Sequence, residues 1–203
     1  IGEVYYQWHT GRGHKHLLEL MGGGDDFTGI LQHDAYQPYL KLAKERGLEQ
    51  SACMAHIRRG FEKALSDRPE AAGWFMRQFA RLYQIEADLR RNKAGPKERA
   101  KRRRKSSLPI LNLLKKAVTH LKINRFILPS SPFGKALTYA LGQLPLMDAW
   151  IENGQVEIDN NLIENAIKQN PTAKITLTLT ITFTPLQDNQ FKLTVTDDGI
   201  GIP

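Results

Sequence analysis

Apolar residues recur at helical spacing through the middle of the chain, and no other feature constrains its fold as strongly. Three segments carry such stripes: residues 61–91, 108–122 and 133–151. A stripe that returns every three or four positions predicts an amphipathic helix whose apolar face is buried. Pro69 is placed to start or kink the first helix, and Gly154 is placed to stop the last. We therefore expect a helical core here, and not a set of ligand-binding side chains.

The N-terminal part of the chain combines short strand-like and helix-like patterns. Residues 4–8 and 28–33 are short, rich in aromatic and β-branched side chains, and bounded by turn residues, which predicts strands. Residues 50–56 are small and apolar enough for a buried strand. Residues 37–46 carry a Pro near the first helical position and are followed by a Gly, which predicts a short helix. Strands that alternate with a helix predict an α/β fold.

The C-terminal part of the chain is predicted to form a short helix and then a β-hairpin. Residues 160–169 have a helical pattern. Residues 175–184 alternate strictly between apolar side chains and Thr, which predicts a strand, and residues 191–195 supply its partner across a turn.

Positive charge is in excess over the whole chain and is concentrated in one run. Among 203 residues there are 29 Lys and Arg against 21 Asp and Glu, so the formal net charge is +8 and the pI is near 9.6. Such an excess indicates a polyanionic partner, with nucleic acid as the leading candidate. Residues 90–105 hold ten basic residues and one acid, and Gly95-Pro96 predicts a helix break. We interpret residues 90–107 as a mobile basic linker that contacts phosphates; the alternative is a solvated loop.

Composition excludes several classes of protein. No stretch approaches 18 apolar residues, so a membrane-spanning helix is not expected, and residues 1–4 show neither the basic nor the apolar region from which a secretory signal would be expected. The single cysteine, Cys53, excludes an internal disulfide framework and suits a reducing cytoplasm. Cys53 and His56 have the spacing of half a zinc site, but no second pair completes it, so we interpret both as packed structural residues.

Two carboxylates are candidates for metal-dependent phosphoryl transfer. Asp34 follows a predicted strand and Glu164 lies in a predicted helix. Two-metal catalysis needs clustered carboxylates that hold divalent ions about 3.5–4 Å apart, and Mg²⁺ prefers oxygen ligands. The spacing alone is also compatible with a capping box between Asn161 and Glu164, and from spacing alone the cap is the better interpretation.

A family resemblance favours the catalytic interpretation. Residues 29–39 (GILQHDAYQPY), 53–59 (CMAHIRR), 134–141 (GKALTYAL) and 157–164 (EIDNNLIE) resemble, in this order, segments of bacterial insertion-sequence transposases of the IS-sixty-six type. The likeness covers residues 1 to about 168. It implies an RNase H-like mixed sheet with a large helical insertion, and DDE chemistry in which water and then a 3′-hydroxyl attack a DNA phosphodiester.

The same resemblance assigns roles and domain bounds. It implies that Asp34 and Glu164 are catalytic and bind Mg²⁺ or Mn²⁺, with DNA as partner and possible assembly of a homo-oligomer on DNA. We expect DNA contacts from five arginines: Arg58, Arg59, Arg102, Arg103 and Arg104. The expected domains are residues 1–60 (first part of the core), 61–154 (helical insertion with the basic linker), 155–171 (final core helix) and 172–203 (hairpin tail).

Two departures from the family pattern qualify these expectations. The family's first catalytic aspartate has no match in residues 1–10, so we expect little or no strand transfer, and a non-catalytic DNA-binding remnant is the alternative. The tail resembles part of the ATP-binding domain of sensor histidine kinases, which would make the chain a chimera. That likeness implies nucleotide-binding roles for four residues: Asn165, Asp197, Gly199 and Gly201.

Overall fold

A computed structural model of the protein describes residues 29–160. The chain divides into two compact units, one containing residues 29–50 and the other consisting of residues 51–159. The helices and strands, in chain order, are β1 (Ile30–His33), α1 (Gln37–Arg46), β2 (Glu49–Ala52), α2 (Met54–Lys63), α3 (Pro69–Arg91), α4 (Pro96–Arg102), α5 (Leu108–Lys122), α6 (Pro132–Gln143) and α7 (Asp148–Glu152). Short 3₁₀ turns at Ala64–Ser66 and Leu144–Met147 and a π-helical segment at Arg103–Ser107 connect some of them.

The fold is mixed α/β and mostly helical. Strands β1 and β2 form a two-stranded parallel sheet, with helix α1 between them in the chain. The predicted helix over residues 37–46 is confirmed, and it ends at Gly47 in the left-handed conformation with φ of 62°, which a residue without Cβ adopts at little cost. Leu31, Leu42 and Leu48 form a small apolar core beside this helix.

The helical core predicted for the middle of the chain is confirmed. In the unit of residues 51–159 a cluster of buried aromatic side chains lies between helices α2, α3 and α6. The Phe61 and Phe75 rings stack with their centroids 4.1 Å apart, and Phe133 meets Phe61 edge-on at 6.0 Å. Burial of one such ring contributes roughly 1.5–3 kcal/mol, so these three residues are a main source of stability.

Proline and polar side chains set several helix starts. Pro69, Pro96 and Pro132 stand in the first turn of α3, α4 and α6, where a missing N–H costs nothing. At α6 the Ser131 hydroxyl accepts the Gly134 N–H at 3.1 Å, and the Asp67 carboxylate accepts the Phe133 N–H at 3.1 Å. These two acceptors satisfy donors that the helix itself leaves unpaired.

Two local predictions are wrong. The strand expected over residues 50–56 ends at Ala52, and helix α2 begins at Met54. Its buried residues Met54, Ile57 and Phe61 follow a helical period, which outweighs the apolar run that favoured a strand. The mobile linker expected over residues 90–107 is also wrong, because Pro96 starts a helix and residues 96–107 are helical throughout.

Other expectations lie outside the described residues. These are the strand over residues 4–8, residues 161–171 of the expected final core helix segment, and the C-terminal hairpin. The first residues of that segment, 155–160, are described and contain no helix. Among residues 29–160, no helix combines the length and the apolar character needed to cross a bilayer.

We expect Gly154→Ala to lower the free energy of unfolding by roughly 1–3 kcal/mol, the usual cost of overpacking. A Cβ at position 154 would overlap the carbonyl group of Pro96, so the segment after α7 would have to move away from the start of α4. The matched control is Gly142→Ala in α6, where a Cβ meets nothing within 4 Å. This control is expected to be neutral or to stabilise by up to about 1 kcal/mol. Urea denaturation followed by circular dichroism measures both; equal stability of the two variants would contradict the packing argument.

Candidate catalytic and DNA-binding residues

Asp34 is held at the end of a buried strand with its carboxylate at the surface. Leu31 and His33 of β1 are buried, whereas Asp34 is exposed. The chain turns at Ala35, whose φ is 67°, and the Asp34 Oδ1 accepts the Tyr36 N–H at 3.1 Å. A carboxylate fixed by its own turn at a strand end is positioned to bind a cation or a polar substrate group.

His33 supports the turn that carries Asp34. Its Nδ1 accepts the Ala35 N–H at 3.0 Å, so the proton is assigned to Nε2, which donates to the Gln50 Oε1 at 3.0 Å. Burial lowers the pKa of His33, although the hydrogen bond with Gln50 and the charge of Asp34 act in the opposite direction. The ring is therefore a neutral structural contact. This role was not predicted from the sequence. The pattern that indicates it is strand alternation: His33 lies two positions after Leu31, so both side chains lie on the buried face of β1.

The second predicted metal ligand lies outside the described residues. Glu164 lies outside residues 29–160, as do the four predicted nucleotide-binding residues. That Asp34 and Glu164 bind the same ions therefore stays a prediction. Within residues 29–160, no three side chains of His, Cys, Asp or Glu lie together in a way that would hold a metal ion. Cys53 is buried and precedes helix α2, and His56 is half-buried within it.

Arg58 and Arg59, two of the expected DNA contacts, lie on a helix. Both belong to α2 and are half-buried. Arg58 faces Glu62 one turn later, with 4.0 Å between the charged atoms. It also lines an open depression together with Met76, Ala80 and Tyr83.

Part of the basic run is used inside the protein, around the buried carboxylate of Glu86. Arg103 donates to this carboxylate from Nε and Nη2, both at 2.8 Å, and Arg99 donates at 3.0 Å. Arg103 and Glu86 are both fully buried. Arg103 also donates to the backbone carbonyls of Trp150 and Asn153 at 2.9 and 3.0 Å. Its guanidinium lies 4.9 Å from the centre of the Trp150 ring, a cation–π contact.

The prediction that Arg103 contacts DNA is therefore corrected, because its donors are used inside the core. Its neighbours differ. Arg102 is exposed, and Arg104, also exposed, pairs with Glu152 at the surface. The structure thus places two of the three arginines where DNA can reach them.

A second group of contacts fixes the segment just before the predicted catalytic helix. Glu157 accepts hydrogen bonds from Arg90 and Arg99, each at 2.7 Å. The Ile158 carbonyl accepts the Met54 N–H at 3.0 Å, and the Tyr83 hydroxyl donates to the Asp159 carboxylate at 2.5 Å. Three successive residues are therefore held by three different parts of the unit.

The pKa shifts of Glu157 and Tyr83 agree with these contacts. Burial would raise the pKa of Glu157, but the hydrogen bonds and charges of Arg99 and Arg90 outweigh it and lower the pKa. Burial and the hydrogen bond to Asp159 raise the pKa of Tyr83 well above its ordinary value. Sequence analysis assigned none of these roles. The one visible signal was charge spacing: Glu86 and Arg90 are four positions apart, as are Arg99 and Arg103.

Comparison with known protein families shows which family the chain belongs to. The family described as "Transposase IS66 family" matches residues 2–179. The chain belongs to this transposase family. The resemblance seen in the sequence is confirmed at the level of the family.

Two curated relatives are similar to this transposase-family chain, both from Sinorhizobium fredii (strain NBRC 101917 / NGR234). "Uncharacterized protein y4jD" is 33% identical over 150 residues, which cover 70% of the chain and 28% of the relative. "Uncharacterized protein y4qI" is 30% identical over 174 residues, 81% of the chain and 31% of the relative. The matched region thus spans about three-tenths of each relative's length. No solved structure matches.

The family match also bears on the C-terminal tail. It extends to residue 179 and so includes the beginning of the segment over residues 172–203. The comparisons give no support to the resemblance of this tail to a histidine-kinase ATP-binding domain.

We expect Arg103→Met to destabilise the protein by about 3 kcal/mol or more, because it removes one partner of a buried ion pair and leaves two backbone carbonyls without their donor. Arg104→Met is the control: it removes an exposed pair next to it in the chain, and its unfolding midpoint should remain close to that of the unmodified protein. Chemical denaturation measures both. Similar effects of the two substitutions would contradict the structural role of Arg103.

Proposed function

We propose that this chain is part of the catalytic core of a transposase that cleaves and joins DNA ends, with Asp34 and Glu164 as ligands of Mg²⁺ or Mn²⁺. Membership of the transposase family over residues 2–179 is the observation that carries the proposal. The surface position of Asp34 at the end of a buried strand agrees with it. The RNase H-like arrangement of the core is part of the same proposal.

The proposed ligands have the right chemistry for these ions. Carboxylate oxygens are the donors that Mg²⁺ prefers. A bound divalent ion would activate the attacking oxygen and stabilise the leaving oxygen of the phosphodiester. Asp34 contributes a carboxylate whose orientation is set by the Tyr36 N–H and by the turn at Ala35.

The contacts of Glu157, Ile158 and Asp159 support the assignment of Glu164 as a metal ligand, because they fix the backbone that precedes it in the chain. They hold the backbone in place shortly before that residue in the chain. In this proposal their role is to position the following segment, and Asp34 and Glu164 alone are assigned to the metal. No residue of positions 1–10 matches the family's first catalytic aspartate, so the proposal assigns the ion to these two carboxylates.

DNA binding is assigned to the accessible arginines. Arg58, Arg59, Arg102 and Arg104 remain in this group, and Arg103 is left out because it is buried. Guanidinium groups bind phosphate oxygens with two parallel hydrogen bonds, which positions a protein on DNA without reading its sequence.

The metal assignment is tested by titrating Mn²⁺ into the chain and measuring heat. Asp34→Asn and Glu164→Gln should each weaken Mn²⁺ binding at least tenfold, since each removes a charged oxygen ligand. Asp148→Asn, which removes an exposed carboxylate paired with Lys115, should leave the affinity unchanged.

A nicking assay with Mn²⁺ on DNA ends carrying terminal repeats adds a second readout. Any cleavage by the unmodified chain should fall about a hundredfold or more in Asp34→Asn, because the metal contributes several kcal/mol to the transition state. Cleavage that survives Asp34→Ala would remove Asp34 from the site. DNA binding without any Mn²⁺ binding would indicate the non-catalytic alternative.

The DNA assignment is tested by the salt dependence of duplex binding. Arg102→Ala should reduce the slope of log affinity against log salt concentration by about 0.9, the value for one phosphate contact. Lys44→Ala, an exposed cation of helix α1, serves as the control with an unchanged slope. Equal slopes for both variants and the unmodified chain would place the DNA elsewhere.

A further inference from the structure

The loop between helices α5 and α6 exposes large apolar side chains. Phe126 is 86% exposed, Ile123 76% and Leu128 67%, the highest values among the large apolar residues of the described part of the chain. Exposed single apolar residues are common, but three within six positions form a patch that needs a partner.

Backbone contacts hold this loop in one shape. The Phe126 carbonyl accepts a hydrogen bond from the Arg68 guanidinium at 2.9 Å, and the Phe126 N–H donates to the Asn124 Oδ1 at 2.9 Å. The Ile127 N–H donates to the Asn124 carbonyl at 3.1 Å, and Ile127 packs against the helical core. Phe126 is thus presented to solvent by a loop whose neighbouring residue is anchored.

The packing at the end of the loop requires a glycine. A Cβ at Gly134, in the first turn of α6, would overlap the carbonyl of Leu128. The loop therefore lies directly against the helix start, which limits its freedom to fold Phe126 back onto the protein.

The charge around the loop selects among possible partners. Residues 115–135, on either side of the loop in the chain, contain five Lys and Arg and no Asp or Glu. Within the loop Arg125 is exposed beside Phe126, and Arg68, which holds the Phe126 carbonyl, is exposed as well. The Asp67 carboxylate, next to Arg68 in the chain, accepts the Phe133 N–H, while Arg68 and Arg125 are exposed cations beside an exposed aromatic ring. This combination complements a polyanion that also offers flat apolar faces. Nucleic acid with unpaired bases has both properties.

We propose that this loop, residues 123–128, places Phe126 against an unstacked base of the DNA while Arg125 contacts a neighbouring phosphate. The inference rests on the proposed function and adds to it a preference for distorted DNA. Stacking of a base on an aromatic ring is sequence-tolerant and is lost when the ring is removed. Apolar side chains that insert at base steps act in the same way on kinked duplexes.

The test compares two DNA ligands with the full chain. Fluorescence anisotropy gives the affinity for a duplex with one unpaired 2-aminopurine and for the same duplex fully paired. Phe126→Ala should weaken binding to the unpaired duplex about tenfold, within the range of one stacked base, and leave binding to the paired duplex unchanged. Phe126→Trp should retain the preference.

Two further measurements make the result specific. In the unmodified chain 2-aminopurine fluorescence should change on binding, because the base exchanges its contacts with neighbouring bases for a contact with Phe126, and Phe126→Ala should abolish the change. Leu113→Ala is the matched control, since it removes another exposed apolar side chain, 44% exposed, from helix α5. It should behave like the unmodified chain, and melting temperatures confirm that each variant is folded.

The outcomes separate this inference from the proposed function. Failure of the unmodified chain to bind any DNA would overturn both. Binding that is equally strong to the two duplexes and unaffected by Phe126→Ala would overturn the role of the loop alone. Sedimentation that shows Phe126→Ala dissociating an oligomer, with both DNA affinities unchanged, would assign the loop to contact between copies and would also overturn the proposal.

Discussion

The buried ion pair between Arg103 and Glu86 is the interaction on which the arrangement of the helical unit depends. Two charges taken out of water are costly unless each is fully paired. Glu86 accepts from two arginines, and Arg103 donates to a carboxylate and to two backbone carbonyls. The pair therefore connects helix α3, the π-helical segment and the end of α7. An apolar contact would hold these parts together less specifically, because it has no fixed direction.

This interaction divides the basic run into two functional groups. Arg99 and Arg103 are used within the protein, where carboxylates of helix α3 and of the segment after α7 neutralise them. Arg102 lies between them in the chain, on the helix surface, and keeps its charge for solvent or for a ligand. A net charge of +8 therefore overstates the number of cations available to a polyanion. Burial therefore decides which of the arginines in the run are available at the surface.

Local patterns in the sequence predicted the local structure well. The helix over residues 37–46 and the strand before Asp34 were predicted from cap residues and side-chain type, which act over a few positions. The helical core followed from apolar periodicity. The two errors have different origins. The helix from Met54 follows a local period of buried residues that competed with an apolar run, whereas the basic run is decided by residues far apart in the chain. Glu86 and Arg103 are separated by 17 positions, and Arg103 and Trp150 by 47, and no local pattern reveals that these side chains meet. For the same reason the role of His33 required the position of Gln50.

The packing near the end of the described chain leaves little room for change in its length. Gly154 lies against Pro96, Glu157 against two arginines, Ile158 against the Met54 amide, and Asp159 against Tyr83. Each contact uses a different atom at a fixed position along this non-helical stretch, so adding or deleting one residue there would displace every later partner at once. In related sequences this stretch should therefore differ by substitutions and not by insertions or deletions. In divergent sequences its constant length would then be a better landmark for alignment than the identity of its residues.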